Sequence, residues 1–286
     1  MKRAAAIIAV FGAIAAALFF YLTAPARLAE AALVDHAPNL ENGARMFRIG
    51  GCASCHAAKG SEGEARLLLG GGLRLATPFG TFVAPNISPG PGGIGGWSLA
   101  DFTNAMTLGV SPEGQHYYPA FPYTSYARMA LTDLADLKGY LDTLPVVGRP
   151  NEAHEVGFPF NIRRGLGLWK LLYLDAEPVV GDAEMSAEAQ LGGYLVEGPG
   201  HCAECHTPRS PLGGLDVGRW MAGAPNPEGE GKIPNLTPHE NGLKSWSEEE
   251  IAYYLETGFR PDFDTAGGAM VDVVRNTSQL AARDRA

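Results

Sequence analysis

Two stretches decide the fold: "GCASCH", residues 51–56, and "HCAECH", residues 201–206. Between them they hold all four cysteines of the 286-residue chain, and each Cys-x-x-Cys runs straight into a histidine. Cys-x-x-Cys-His is the attachment signature of c-type haem. Two thiols on one helical turn meet the two vinyl groups of a single porphyrin, and the adjacent histidine faces the iron. A zinc ribbon would hold its cysteine pairs about 15–20 residues apart, whereas 147 positions separate Cys55 from Cys202. A thioredoxin-like redox pair needs a βαβ setting, and none is visible around either motif. The sequence therefore implies two covalently bound haem c groups, on Cys52 and Cys55 and on Cys202 and Cys205. His56 and His206 would be the iron ligands. This uses every cysteine, so no disulfide is expected.

Working outward, the two motifs anchor an internal repeat. Cys202 lies 150 residues beyond Cys52, while Asn86 and Asn235, Trp97 and Trp246, and Gly109 and Gly258 are each 149 apart. "PNISP" (85–89) matches "PNLTP" (234–238), and "GGWSLADFTNAMTLGV" (95–110) matches "KSWSEEEIAYYLETGF" (244–259). Each copy reads as short helices separated by loops. Ser98 with Asp101, and Ser247 with Glu250, form capping-box helix starts. Leu99, Phe102 and Met106 then share one helical face, as do Ile251, Tyr254 and Leu255. Gly109 and Gly258 are placed to stop these helices. A further helix in copy one opens at Thr132, with Leu134, Leu137, Leu141 and Leu144 inward, and ends by Pro145. Copy two is expected to lack that terminal helix. The domain plan is 35–150 and 180–286, joined by a connector over 151–179 that is too apolar for a flexible linker. A connector helix packed between the two copies is the plain expectation, and a surface touching a partner or the membrane interface is the sharper one.

The N-terminal segment, residues 1–34, begins with Lys2 and Arg3 and continues with an apolar run from Ala4 to Leu22. Its 19 residues are long for a signal peptide's apolar region and near the minimum for a membrane span. A small-x-small site at Ala29-Glu30-Ala31 keeps cleavage open, and the length favours an uncleaved anchor. The positive residues should stay on the cytoplasmic side. With 37 Gly and 21 Pro, much irregular backbone is expected.

Beyond the haem motifs, the order of Cys-x-x-Cys-His, Pro-Asn, Trp-Ser helix, distal loop and terminal helix resembles class I cytochrome c, in tandem. "TPFGTFVAPNISP" (77–89), "GIGGWSLADF" (93–102), "YPAFPYTSY" (118–126) and "FPFNIRRGL" (158–166) resemble cytochrome c subunits of membrane-bound alcohol, gluconate and related dehydrogenases. The likeness covers roughly residues 38–286. Many of those subunits carry three haems, whereas this chain has two motifs. The resemblance implies an all-α fold of two tandem class I cytochrome c domains with long irregular loops, plus the N-terminal apolar helix. It implies that His56 and His206 donate their second ring nitrogen to the carbonyls of Pro85 and Pro234. It also implies that Trp97 and Trp246 reach haem propionates.

The second axial ligand differs between the copies. In copy two, Met270 of "GGAMVDVV" falls in the window after the Trp helix, and Met221 lies on the proximal side as a packing residue. A thioether there gives the His/Met iron that raises potential. Shifted back by 149, Met270 lands on Phe121, where the family often has methionine and where a phenyl ring cannot coordinate. Three readings stand for haem one: Met129 supplies the sulfur, His116 ligates, or the sixth position is open. Met106 is set aside because it lies on the apolar helix face. His36, His154, His201 and His239 read as mostly exposed.

Charge is uneven. Residues 35–150 hold 9 acidic and 8 basic groups, whereas residues 180–286 hold 17 and 8. The plain reading is solubility; the functional one is that the second copy presents a negative face to a basic redox partner and steers its docking. No basic patch or motif points to nucleic acid. The resemblance implies a periplasmic dihaem relay held at the inner membrane. It would take electrons from a membrane-associated dehydrogenase and pass them to a soluble cytochrome, a quinone or a terminal oxidase of the respiratory chain. The second reading is a haem enzyme, peroxidase-like or oxidising sulfur compounds, using an open or unusual haem one.

Overall fold

A computed structural model describes residues 1–33, 35–181, 184–226 and 231–286. The chain opens with α1 (Lys2–Leu22), which is apolar, has no buried residue and is long enough to cross a membrane. The segment after it is built into the protein body. Thr23 is fully buried. Leu28 exchanges hydrogen bonds with the Asn104 side chain through both its backbone groups. Arg27 donates to the carbonyls of Ser111 and Pro112.

The first copy follows the sequence pattern closely. α2 (Leu40–Ile49) starts at Asn39, whose side chain accepts from the amides of Glu41 and Asn42. α3 (Cys52–His56) carries the first haem motif. A small antiparallel hairpin, β1 (Arg74–Thr77) and β2 (Gly80–Val83), lies in what the sequence suggests is irregular loop. α4 (Leu99–Leu108) has the expected Ser98–Asp101 capping box and ends at Gly109 with φ 57°. α5 (Tyr123–Tyr126) and α6 (Leu131–Leu141) complete the copy. α6 begins one residue before Thr132 and stops at Leu141. The turn after it still carries Leu144 inward beside Leu134, Leu137 and Leu141. α2 packs along α6, and Met46, Phe47, Phe102, Met106, Met129 and Leu134 fill the space between the helices.

The connector meets the expectation in part: its helix packs between the two copies, with Trp169 edge-on to Tyr123 of the first and donating to the Leu212 carbonyl of the second. α7 (Leu166–Tyr173) follows a 3-10 turn at Arg163–Gly165; further upstream, Glu155 pairs with Thr81 and so extends the β1–β2 hairpin. α7 turns Lys170 inward. Its ammonium donates to the carbonyls of Leu108 and Gly109 at 2.5 and 2.8 Å and to His116 Nδ1 at 3.0 Å. His116 Nε2 donates to the Thr23 carbonyl at 2.9 Å. One buried chain of polar groups thus ties α1's end, the C-terminus of α4 and the connector together. A cation is favoured at those helix-terminal carbonyls.

The second copy contains α8 (Ala187–Glu197), α9 (Ala203–His206), β3 (Ala224–Pro225), β4 (Lys232–Ile233), α10 (Glu248–Thr257) and α11 (Met270–Thr277). α12 (Ala282–Arg285) supplies one helical turn where the sequence suggests no terminal helix. The Ser247–Glu250 capping box and the Gly258 stop, φ 78°, form as expected. The Ile251, Tyr254 and Leu255 face is only half-buried, unlike the matching face of α4. The physical difference is that α4 packs against the full-length α6, while α10 meets the single turn of α12. The second copy also leans on the first. Leu195 joins the first copy's core, and Arg45 of α2 pairs with both oxygens of Asp284.

Burial pulls the Lys170 ammonium down to about 7, so its charge depends on the three acceptors. Lys170→Met strands the Leu108 carbonyl and His116 Nδ1 in the interior, while the Gly109 carbonyl keeps the Tyr117 amide; this costs about 1–3 kcal/mol. Denaturant unfolding of the full chain should show a loss of that size, and an unchanged midpoint would refute the tie.

Candidate haem sites

Each motif helix is fixed by a glycine and a proline carbonyl. His56 Nδ1 donates to the Pro85 carbonyl at 2.8 Å, and His206 Nδ1 to the Pro234 carbonyl at 2.8 Å. This orients each ring and leaves Nε2 as the nitrogen able to bind a metal. The carbonyls are themselves held. Gly71, φ 70°, donates its amide to the His56 carbonyl, and a Cβ on it would sit 2.4 Å from the Pro85 oxygen. Gly223, φ 84°, repeats the arrangement: its amide reaches the His206 carbonyl, and a Cβ would meet the Ile233 oxygen at 2.8 Å. Only glycine accepts both the left-handed backbone and the close approach. Asn86 locks the loop by donating to the carbonyls of Val147 and Arg149.

The donor set suits covalent haem. None of the four cysteines is in a disulfide. Burial pushes the Cys52 thiol up to about 12 and Cys202 up to about 11, and raises Cys55 as well. Such thiols lack the lowered pKa of a catalytic redox pair. Among the described residues no three His, Cys, Asp or Glu side chains gather to hold a metal ion. Trp97 is half-buried against the first copy's core, and Trp246 stands edge-on to Tyr254 at 5.7 Å. Among the described residues, neither indole N–H donates to a protein acceptor.

On the distal side the structure separates the candidates. Met129 is buried and lines a small cavity together with Cys52, Met46, Met106, Tyr126 and Leu137. Met106 sits on its helix's apolar face as expected, yet borders this same cavity, which the sequence does not reveal. His116 is removed from the list of ligands, because both its ring nitrogens are engaged by Thr23 and Lys170. Phe121 meets Tyr117 and Tyr123 edge-on and tilts over Tyr126, at centroid distances of 6.0, 6.3 and 5.7 Å. Met270 is half-buried as the first residue of α11. Met221 takes the place of Leu69: the amides of Leu236 and Ile87, respectively, bond to their carbonyls, so it packs behind the proximal loop.

The two motifs face one another. Ser54, inside the first motif, accepts from Asn276 of α11 at 2.9 Å. Glu204, at the equivalent position of the second, accepts from the hydroxyls of Thr124 and Ser125 of α5 at 2.9 and 3.1 Å. Arg209 closes the other Glu204 oxygen at 2.6 Å. His201 reaches back from the second motif to the Gly50 carbonyl at 3.2 Å, with its ring edge-on to Tyr126. It is half-buried in this seam, and His154 is half-buried beneath Phe82 and Tyr118, so neither is the exposed surface group expected. Gly71, Gly223, Glu204 and Asn276 escape sequence reasoning. For the glycines the available signal is their recurrence before each Pro-Asn loop; for the seam residues there is none until the copies are packed.

No family model matches the chain. Among curated proteins it is 54% identical over 273 residues to a dihaem cytochrome c-type protein of Cereibacter sphaeroides, covering 95% of this chain and 91% of that protein. It is 34% identical over 270 residues to the gluconate 2-dehydrogenase cytochrome c subunit of Pantoea cypripedii, covering 90% of this chain and 60% of that subunit. It is 32% identical over 260 residues to the cytochrome c subunit of the quinone-type alcohol dehydrogenase of Gluconobacter oxydans, covering 84% of this chain and 51% of that subunit. These relatives define an electron-transfer cytochrome carrying haem c. The chain belongs to the family of dihaem c-type cytochromes.

If Met129 is the sulfur on the first iron, Met129→Leu abolishes the thioether-to-iron charge-transfer band of one haem, while Met106→Leu leaves it in place. Optical spectra of the two oxidised variants decide it, and the reverse pattern would assign Met106.

Proposed function

We propose that the chain is a two-haem electron relay on the periplasmic face of the bacterial inner membrane. Residues 35–150 and 180–286 form two class I cytochrome c domains, joined by 151–179 and held by the apolar segment 4–22. Cys52, Cys55 and His56 hold one haem, with Met129 as its second ligand. Cys202, Cys205 and His206 hold the other, with Met270. Pro85 and Pro234 orient the histidines, and Trp97 and Trp246 donate to propionates. When bound, the haem irons supply the one-electron redox chemistry. The protein contributes ligand orientation, a dry apolar wall from Phe121 and Tyr126, and a short separation between the sites.

The observation that carries this reading is the reciprocal seam, in which each Cys-x-x-Cys-His segment is gripped by the other copy's distal helix. Two redox groups held that way form a path from one to the other. Several relatives are cytochrome subunits of dehydrogenases by name, which supports a dehydrogenase as the donor. A membrane-associated dehydrogenase donates electrons, and a soluble cytochrome, quinone or terminal oxidase accepts them.

The test is ligand binding. The relay requires two haems per chain, both low-spin and both inert to carbon monoxide when reduced. A five-coordinate haem that binds carbon monoxide at the first site would transfer the assignment to a haem enzyme.

A further inference from the structure

α7 is built inside out. Its buried positions are Gly167 and Lys170, while Leu168, Leu171 and Leu172 point outward, the last two 63% and 68% exposed. Residues 168, 171 and 172 share one helical face by their spacing. Just upstream, Phe158 (81% exposed), Phe160 and Ile162 are also uncovered. A soluble helix places its apolar stripe toward the core and its lysine toward water. Here the lysine is consumed by α4's terminal carbonyls and the leucines are left for another medium. An uncovered apolar face of this size marks an interaction surface.

The position of the face says what covers it. Arg164 donates to the Phe20 carbonyl and the Thr23 hydroxyl, and its guanidinium lies 5.5 Å from the Phe20 ring centre. Gly167 abuts Thr23 so closely that a Cβ would stand 2.6 Å from the Thr23 Cα. The start of α7 is therefore fixed to the last turn of α1, where that helix would leave a bilayer. Leu171 lies four residues further, about 6 Å along the helix axis, so the exposed leucines stay close to that end of α1. Arg163 and Arg164 are placed where such segments carry cations for lipid headgroups. Cleavage after Ala31 would remove Thr23, Arg27 and Leu28, all of which are tied into the body, and this supports a retained anchor.

We infer that the outward face of α7, with Phe158, Phe160 and Ile162, is embedded in the lipid headgroup–acyl boundary and forms a second membrane contact beside α1. This rests on reading α1 as a retained anchor. The contact would hold the haem domains at a fixed tilt over the bilayer.

The experiment uses the full, haem-loaded chain in phosphatidylcholine–phosphatidylglycerol vesicles, spin-labelled at Leu171→Cys, with Tyr253→Cys on exposed α10 as the aqueous control. Unchanged haem absorbance verifies folding. Relaxation by oxygen should exceed relaxation by a water-soluble nickel chelate severalfold at 171, with the opposite order at 253. Nickel access at both positions, in protein that resists alkaline carbonate extraction, overturns the lipid contact, leaves the anchor intact and gives the face to a protein partner. Release by carbonate would overturn the anchor, and the inference with it.

Discussion

The hydrogen bond from a histidine ring to a proline carbonyl, made twice at 2.8 Å, is the constraint on which the rest of the structure depends. A histidine that binds iron through Nε2 needs Nδ1–H fixed, or the ring rotates and the ligand weakens. Fixing it requires a carbonyl at a set place, and that requires a loop with no freedom of its own. In the first copy Gly71, Asn86 and the β1–β2 hairpin supply the rigidity; in the second, Gly223 and the shorter β3–β4 pair do so. The many glycines and prolines are thus not slack in the chain. Several sit where the backbone passes too close for a side chain.

The second organising feature is that the copies are not independent beads. A shared apolar cluster reaches Leu195, and the Arg45–Asp284 pair clasps the outer ends. Between them the motif residues Ser54 and Glu204 are each held by the opposite copy. This arrangement sets one edge of each Cys-x-x-Cys-His helix against the opposite copy's distal helix rather than solvent. Haems attached to these motifs would have their separation set by the same contacts that pack the copies together.

Much of this was legible in the residues. The motifs, the 149-residue repeat, both capping boxes and both glycine stops were readable because each has a local physical cause. The inward leucines of α6 were readable for the same reason. What failed depended on packing. His116 looked like a possible ligand until Thr23 and Lys170, remote in sequence, took its two nitrogens. The connector's helix does pack between the copies through Trp169 and Tyr173, but Leu168, Leu171 and Leu172 face out and its lysine faces in, which its apolar composition did not show. Met106 and Met129, 23 positions apart, came to line one cavity. Periodicity reports which residues avoid water; it does not report which long-range partner replaces it.

The central claim is that the two haem-binding motifs are held face to face in one rigid seam. Circular dichroism in the Soret region reads this directly, because two porphyrins close enough to couple split their transition into bands of opposite sign. The account predicts a bisignate couplet in the reduced full-length protein. A simple sum of two single-signed bands, as from isolated haems, would contradict it.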